Sequence, residues 1–459
     1  MTTQRLSGWG RTAWTVSEVL STTDPAEIRS AVAAAGDRGA IARGLGRSYG
    51  AAAQNAGGLV VEMTSEHDPL GIDAVLDPVT GVLDVASSVS IDSILRLCVP
   101  RGWFIPVTPG TRFVTVGGAI ASDVHGKNHH FDGSFGQHVT SMTVMLSSGE
   151  TVELSPSSNP AWFWATVGGM GLTGVVLRAT IQMLRVESSR VRVETQRLAD
   201  FDAVCAAMGK DGDDGDHRYS VCWVDLLATG SSMGRGVLTR GDHAPASEVD
   251  SDDPLAYDPR LRVSAPGWVP NGFINKWSIK AFNEAWFRKA PAKAHVGLES
   301  IPAFFHPLDG VSKWNRLYGP QGFIQYQFIV PLDRTDVMRH VIETFSAAGV
   351  ASFLAVLKRM GPHNPAPLSF PTEGWTLTLD MAAGTKGLAE LLARVDAEVL
   401  DAGGRHYLAK DSHVSPSAVR RGYPRLGEWL ATQEQMDPAG VWRSDLARRL
   451  GLVDHRRNR

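Results

Sequence analysis

The run Gly169-Met170-Gly171-Leu172-Thr173-Gly174 has the G-x-G-x-x-G spacing of a dinucleotide-binding turn, and the residues that follow exclude that turn. A Rossmann loop must open a helix, whereas Val175 to Met183 alternates as a strand. A second cluster, Arg43-Gly44-Leu45-Gly46-Arg47-Ser48-Tyr49-Gly50, carries Tyr49 where the fingerprint needs glycine, and no Gly-Lys-Ser/Thr follows to make a P-loop. The third cluster is Pro109-Gly110-Thr111 followed by Val114-Thr115-Val116-Gly117-Gly118-Ala119-Ile120-Ala121-Ser122-Asp123-Val124-His125-Gly126. Pro-Gly, then Gly-Gly among small residues, lets backbone approach a ligand closely, with N–H groups turned toward negative charge. Taken singly, each cluster is explained as readily by tight turns in an α+β domain.

Around these clusters the first 185 residues or so are dense in glycine and short β-type runs. Ser90 caps an expected helix over Ile91 to Cys98, and Ser147-Ser148-Gly149-Glu150 turns an expected hairpin between Met142 to Leu146 and Thr151 to Leu154. After about Val193, aromatic-rich mixed segments take over. With 459 residues, 43% of them hydrophobic, the chain is long enough to divide there into separate cores. The expected division is 1–190, 191–405 and a C-terminal segment 406–459 that returns to the first domain.

Residues 241–259 carry Asp242, Glu248, Asp250, Asp252, Asp253 and Asp258 without periodicity and read as a mobile acidic loop, a solvated connection. Beyond it Trp268, Phe273, Trp277, Phe282, Trp286 and Phe287 alternate with Lys276, Lys280, Arg288, Lys289 and Lys293. That mixture suits either a membrane interface or ordinary core packing. Two later segments repeat one strand, helix, strand unit. The first has a strand over Ile324 to Val330, a stripe of Val337, Met338, Val341, Ile342 and Phe345, a stop at Gly349 and a strand over Ser352 to Lys358. The second has Thr376 to Met381, then Leu388, Leu391, Leu392, Val395 and Val399, then Gly403-Gly404 and a return strand His406 to Lys410. A ferredoxin-like sheet would put Lys358 and Lys410 at comparable edges.

A formal net charge of -3 gives no electrostatic reason to expect nucleic acid. Cys98, Cys205 and Cys222 have neither the count nor the spacing of a disulfide framework or zinc site, so no metal is expected. Met1 to Trp14 contains no apolar core of an export signal, and no apolar run approaches the roughly 20 residues of a spanning helix.

Together and in this order, the glycine clusters resemble the vanillyl-alcohol oxidase (PCMH-type) flavoprotein family. Trp9 to Thr12, Phe163 to Thr180, Phe323 to Phe328, Gly361 to Pro371, Tyr407 to Ser412 and the closing stretch from Tyr423 to Leu446 extend the resemblance over nearly the whole chain. Within the family it is nearest to the oxidases that act on decaprenylphosphoryl-β-D-ribose in actinobacterial cell-wall arabinan synthesis. The resemblance implies an α+β fold of two domains, a PCMH-type FAD-binding domain and an antiparallel-sheet substrate domain.

It also implies roles. Arg43 to Gly50 would wrap the FAD pyrophosphate. Gly110, Thr115, Val116, Gly117, Gly118, Ser122, Asp123, Val124 and His125 would lie along the cofactor, with Val176 near the adenine and Tyr407 in contact with it. Relatives that bind flavin covalently use a histidine where this chain has Arg47, so FAD is expected to be non-covalent. Lys410 matches the lysine beside the flavin and would take the hydroxyl proton, a task that partial desolvation suits it for. Without the motif, it reads as an exposed strand-end lysine. Lys127, Trp223, Gln325, Gln327 and Lys358 match positions that would hold the sugar and phosphate. Phe305 stands where tyrosine is expected, Thr376 where asparagine is, and Thr378 where mycobacterial members carry cysteine.

The implied activity is oxidation of the ribose 2'-hydroxyl to a keto sugar, with a separate NADH-dependent reductase completing the inversion. A polyprenyl-linked substrate implies peripheral membrane contact. Lack of an export signal favours the cytoplasmic face, and a partner could carry the enzyme to the other. Two rivals are a soluble sugar or alditol oxidase that uses oxygen, and a non-catalytic flavoprotein that binds polyprenyl phosphosugars.

Overall fold

The computed structural model describes residues 1–64, 72–209, 213–259 and 263–453. Its mixed α+β architecture rests on three main sheets. Thr2–Ser7, Trp14–Ser21, Leu59–Glu62 and Ala40–Arg43 lie side by side in that order, the last two interfaces being parallel. Ala74–Leu76, Val82–Ala86, Val175–Gln182, Val139–Met145 and Thr151–Leu154 form an antiparallel sheet of five. The expected hairpin is here, and the run Gly169 to Gly174 leads into the strand Val175–Gln182 rather than a helix. Ser90 caps the helix Ile91–Cys98 by accepting from Ser93 N–H, and Ile91, Ile94, Leu95 and Cys98 bury its apolar stripe.

The chain enters the large sheet at Arg190. Eight antiparallel strands follow in the order His295–Ser300, Arg190–Leu198, Gly236–His243, Tyr219–Val224, Ala355–Met360, Gly374–Ala382, Phe323–Val330, Arg405–His406. Helices Phe201–Met208, Thr335–Ala347 and Leu388–Asp401 back one face, burying Phe201, Met338, Phe345, Leu391 and Val395 against Cys222, Tyr326, Phe328, Leu357, Leu377 and Leu379. Strand side chains alternate faces, so the neighbours of those residues must point the other way. Those neighbours are Trp223, Gln325, Gln327, Lys358, Thr376, Thr378 and Asp380. Gln327 stands opposite Thr378, Gln325 opposite Asp380, and Lys358 opposite Thr376. A polar row on the unbacked face of a buried sheet is a wall facing a ligand.

The two repeated units share this one sheet in the order Ala355–Met360, Gly374–Ala382, Phe323–Val330, Arg405–His406, the ferredoxin-like arrangement expected, but their lysines do not sit at comparable edges. Lys358 is inside the interior strand Ala355–Met360, not at an edge. Lys410 is on no strand: the return strand stops after Arg405–His406, and a single 3-10 turn, Leu408–Lys410, follows. Tyr407 N–H still reaches Gln327 O, but Ala409 O is taken by Tyr49 N–H from the glycine-rich half, so the ladder ends there. The acidic segment 241–259 is held rather than free. It begins inside the strand Gly236–His243, Pro254 O accepts from Ser189 N–H, and Leu255 and Tyr257 pack on the first domain's core.

The last helices lock onto the glycine-rich half. Trp429 Nε1 donates to Ala165 O at 2.9 Å and Gln433 Nε2 to Leu172 O at 3.1 Å, while Trp442 bridges to Ala40.

Candidate active site

Between the glycine-rich half and the bare face of the large sheet lies a cavity of about 940 Å³. That is at the upper end of the roughly 300–1,000 Å³ usual for ligand sites. It has two kinds of wall. One is backbone: Gly44, Gly46, Gly110, Gly117 and Gly118 all line it. A Cβ on Gly44 would stand 2.3 Å from Thr115 Oγ1, and Gly46 adopts φ +63°, so neither position admits another residue without movement. Thr115 Oγ1 accepts from Gly118 N–H, fixing the Gly-Gly turn. Leu45, Ser48, Tyr49, Ser122, Val124 and Val176 line the cavity as well. Arg43 ties the loop to Ser7 O and Ala53 O. Arg47 stacks on Trp9 at 4.0 Å and donates to Phe113 O at 3.1 Å.

The other wall is charged side chains. Lys127, Lys358 and Lys410 all face the cavity, with Trp223 and Gln325 between them. Burial pulls Lys358 down to about 7, helped by Lys410 and Lys127, and pulls Lys127 down to about 8 against the opposing charge of Glu299. Lys410, its ammonium 5.7 Å from the centre of the Tyr49 ring, is likewise lowered by burial, and Asp380 partly restores it. Burial raises Asp380 in turn, against the bond from Gln325 Nε2 at 2.5 Å and the charge of Lys410. His125 is held well below its ordinary value by burial and by Lys358 and Lys410, so it is a neutral imidazole. Gln327 Nε2 donates to His125 Nε2 at 3.0 Å, and His125 Nδ1 lies 3.3 Å from Lys358 Nζ. Among the described residues no carboxylate makes a salt bridge to these three lysines, so the space they surround is strongly attractive to anions.

Tyr407 donates to Ser122 O at 2.9 Å and stacks on Phe370, which joins the sheet side to the third glycine cluster. Four anticipated residues lie behind the cavity surface. Val116 is core. Gly50 packs where a Cβ would meet Asp411 O. Asp123 is buried, accepting from Ser134, Gly136, Asn364 and Ser369. Gln327 reaches the site through His125. Phe305 fills an aromatic cluster with Tyr219 and Phe104, Thr376 donates to Phe328 O, and Thr378 Oγ1 has no partner among the described residues.

Sequence reasoning missed Asp380 and Asp309. Asp380 is the one carboxylate in the alternating, almost entirely buried strand Gly374–Ala382, and that is a signal legible in the sequence. Asp309 accepts from Thr111 Oγ1 and Arg112 N–H and so shapes the Pro-Gly turn from nearly 200 residues away in sequence, which no local pattern reveals.

A cofactor with a long phosphate-bridged body fits these walls. Glycines make the cradle, with Gly44 and Gly46 at positions where a Cβ would collide with Thr115 or Arg43, and Gln325 Oε1, Gln327 Oε1, Thr378 Oγ1 and Asp380 Oδ2 are buried polar atoms without partners among the described residues.

Residues 17–155 match the FAD binding domain family. A decaprenylphosphoryl-beta-D-ribose oxidase of Mycolicibacterium smegmatis is 43% identical across 98% of this chain and 98% of its own length. The uncharacterized protein in mprA 5'region of Streptomyces coelicolor is 37% identical over 79% of this chain and all of its own. Cytokinin dehydrogenase 4 of Arabidopsis thaliana is 31% identical over 35% of this chain and 31% of its own.

Proposed function

Because this chain belongs to the decaprenylphosphoryl-β-D-ribose oxidase family of FAD-binding flavoproteins, we propose that it oxidises the 2'-hydroxyl of decaprenylphosphoryl-β-D-ribose to the 2'-keto sugar. The observation that carries this reading is the 43% identity over 98% of both chains.

When bound, FAD supplies the two-electron acceptor for the hydride leaving the carbinol carbon. The chain supplies the rest. Lys410 accepts the hydroxyl proton; burial lowers its pKa, so a useful fraction is the neutral amine that a base must be. Lys127 and Lys358 hold the phosphate by charge-assisted hydrogen bonds, which return to them the positive charge that burial disfavours. His125, being neutral, orients Lys358 without competing for the anion. Gln325, Gln327 and Trp223 present hydrogen bonds and a flat face to the sugar. Arg47, in place of a linking histidine, leaves FAD held by contacts alone.

The product is half of an epimerisation. We assign the reduction that completes it to a separate NADH-dependent enzyme, a reading supported by the failure of the G-x-G-x-x-G run to open a helix here. The substrate's polyprenyl chain brings the enzyme to a membrane surface. No helix among the described residues is long and apolar enough to cross a membrane.

The test is the visible spectrum of the purified protein before and after anaerobic addition of a polyprenylphosphoryl ribose. Bleaching of the flavin bands is the expected result. Bleaching by a simple polyol instead makes the protein a soluble oxidase, and no bleaching by either makes it a binding protein.

A further inference from the structure

Among the described residues the helix Lys276–Lys289 is the least covered of the longer helices. Only Ile279 and Asn283 are buried, and the rest of its surface faces outward or is half-buried. What it exposes is unusual for a water-facing helix. Trp277 is 78% exposed and Trp286 43%, and Trp268 on the preceding loop is 81% exposed. Phe273 and Phe282 are exposed beside them, and Phe282 stacks on Trp286. Lys276, Lys280, Arg288, Lys289 and Lys293 are interleaved with these rings. The helix has one acid, Glu284, and Arg235 and Arg288 occupy it at 2.6 and 2.5 Å. The neighbouring edge strand His295–Ser300 adds exposed Val296 and Leu298.

Exposed tryptophans among basic residues that outnumber the one acid of the helix match the boundary between lipid headgroups and acyl chains, where the rings bury and the cations meet phosphate. The patch is also continuous with the active site. Trp286 lines the cavity while remaining exposed at the surface, and Glu299 on the same edge strand lines it too. A second copy of this chain is a poorer occupant, because an isologous contact would set five basic side chains against the same five.

Resting on the oxidase reading above, we propose that helix Lys276–Lys289 and the loop bearing Trp268 dock on a bilayer containing anionic lipid, so that the lipid-linked substrate reaches the cavity past Trp286 without leaving the membrane. The rings insert at headgroup depth and the helix lies flat in the interface. The polyprenyl tail stays in the bilayer while the ribose phosphate enters between Lys127 and Lys358.

Flotation of the FAD-loaded protein with phosphatidylcholine vesicles, with and without about one-third phosphatidylglycerol, tests the surface. Binding is expected to the anionic vesicles, weaker to pure phosphatidylcholine, and reduced at high salt. K280A/K289A should weaken it about 30-fold, from the usual contribution of a basic residue near an anionic surface. W268S/W277S should weaken binding to both vesicle types. None of these four residues lines the cavity, so both variants should bleach normally with a short-chain, water-soluble substrate analogue while slowing on the long-chain substrate held in vesicles. Variants that float like the parent overturn the proposal. So does a parent that ignores vesicles but forms a dimer that W268S/W277S dissolves. If vesicles are bound and neither substrate bleaches the parent's flavin, the docking surface stands and the oxidase reading falls.

Discussion

The two walls of the cavity solve opposite problems. The glycine wall approaches its ligand with backbone, removing side chains so that N–H groups and turns do the recognition. The lysine wall does the reverse, burying three cationic side chains at the bare face of a sheet whose other face is hydrocarbon. The first is tolerant of charge and intolerant of bulk; the second is the converse. On the function proposed above, one cavity thereby holds a cofactor by shape and presents a reactive anionic substrate to it by charge.

Charge removal should break the second wall with the largest effect. Lys410→Ala is expected to slow anaerobic flavin reduction by about 10²- to 10⁴-fold, the usual contribution of a positioned base. The visible flavin spectrum should be unchanged, because the glycine wall is intact. A full reduction rate in the variant removes Lys410 from the mechanism. Bulk should break the first wall: Gly44→Val drives a side chain into Thr115, and overpacking of that kind costs about 1–3 kcal/mol. Read as affinity, that is about a 5- to 150-fold weaker hold on FAD, measured by fluorescence on titrating the apoprotein. If Gly44→Val kept its FAD but lost turnover, the division of labour between the walls would be wrong.

The glycine wall was legible in sequence because its determinants are local. Turn glycines, the Ser90 cap and the hairpin at 147–150 declare themselves within a few residues. The lysine wall was half legible. Alternation along Phe323–Val330 and Gly374–Ala382 gives away which residues share a face, but that Lys358 and Lys410 meet over one cavity depends on strand order, a non-local fact. His406 to Lys410 reads as strand in the sequence, because it looks extended until Tyr49 N–H competes for Ala409 O and Leu408–Lys410 turns away. What holds that turn is equally remote. Asp396, on helix Leu388–Asp401, accepts from Tyr326 OH at 2.7 Å and pairs with His406 Nε2 at 2.9 Å and His413 Nε2 at 3.3 Å, gripping the loop on both sides of Lys410. Burial raises its carboxyl, but the two histidines outweigh that and hold it far below the usual carboxylate range. Asp396→Asn is expected to cost about 1–3 kcal/mol of stability. It should also slow flavin reduction by roughly tenfold through misplacement of the lysine, with FAD retained. A variant that melts earlier but reduces flavin at full rate would show that the clamp serves only the fold.

The smallest effect should also separate the walls most cleanly, because it concerns stability without any ligand. Lys358 has a pKa of about 7 in the folded chain, against about 10.4 for an unfolded lysine. Below 7 both states carry the proton, and the folded state bears the full penalty of a buried charge among like charges. Between the two values only the unfolded chain holds the proton, so stability rises with pH through that window; above it the penalty is gone. Lys358→Met removes the charge and keeps the bulk. The variant should therefore melt about 1–2 °C above the parent at pH 6 to 7, with the gap closing toward pH 10. The same variant should bind the anionic substrate more weakly, whereas a change confined to the glycine wall should leave this pH slope untouched. A Lys358→Met protein that melts below the parent at pH 6 would mean that the lysine is stabilised by its surroundings, and the charged wall would not be the strained, anion-seeking surface described above.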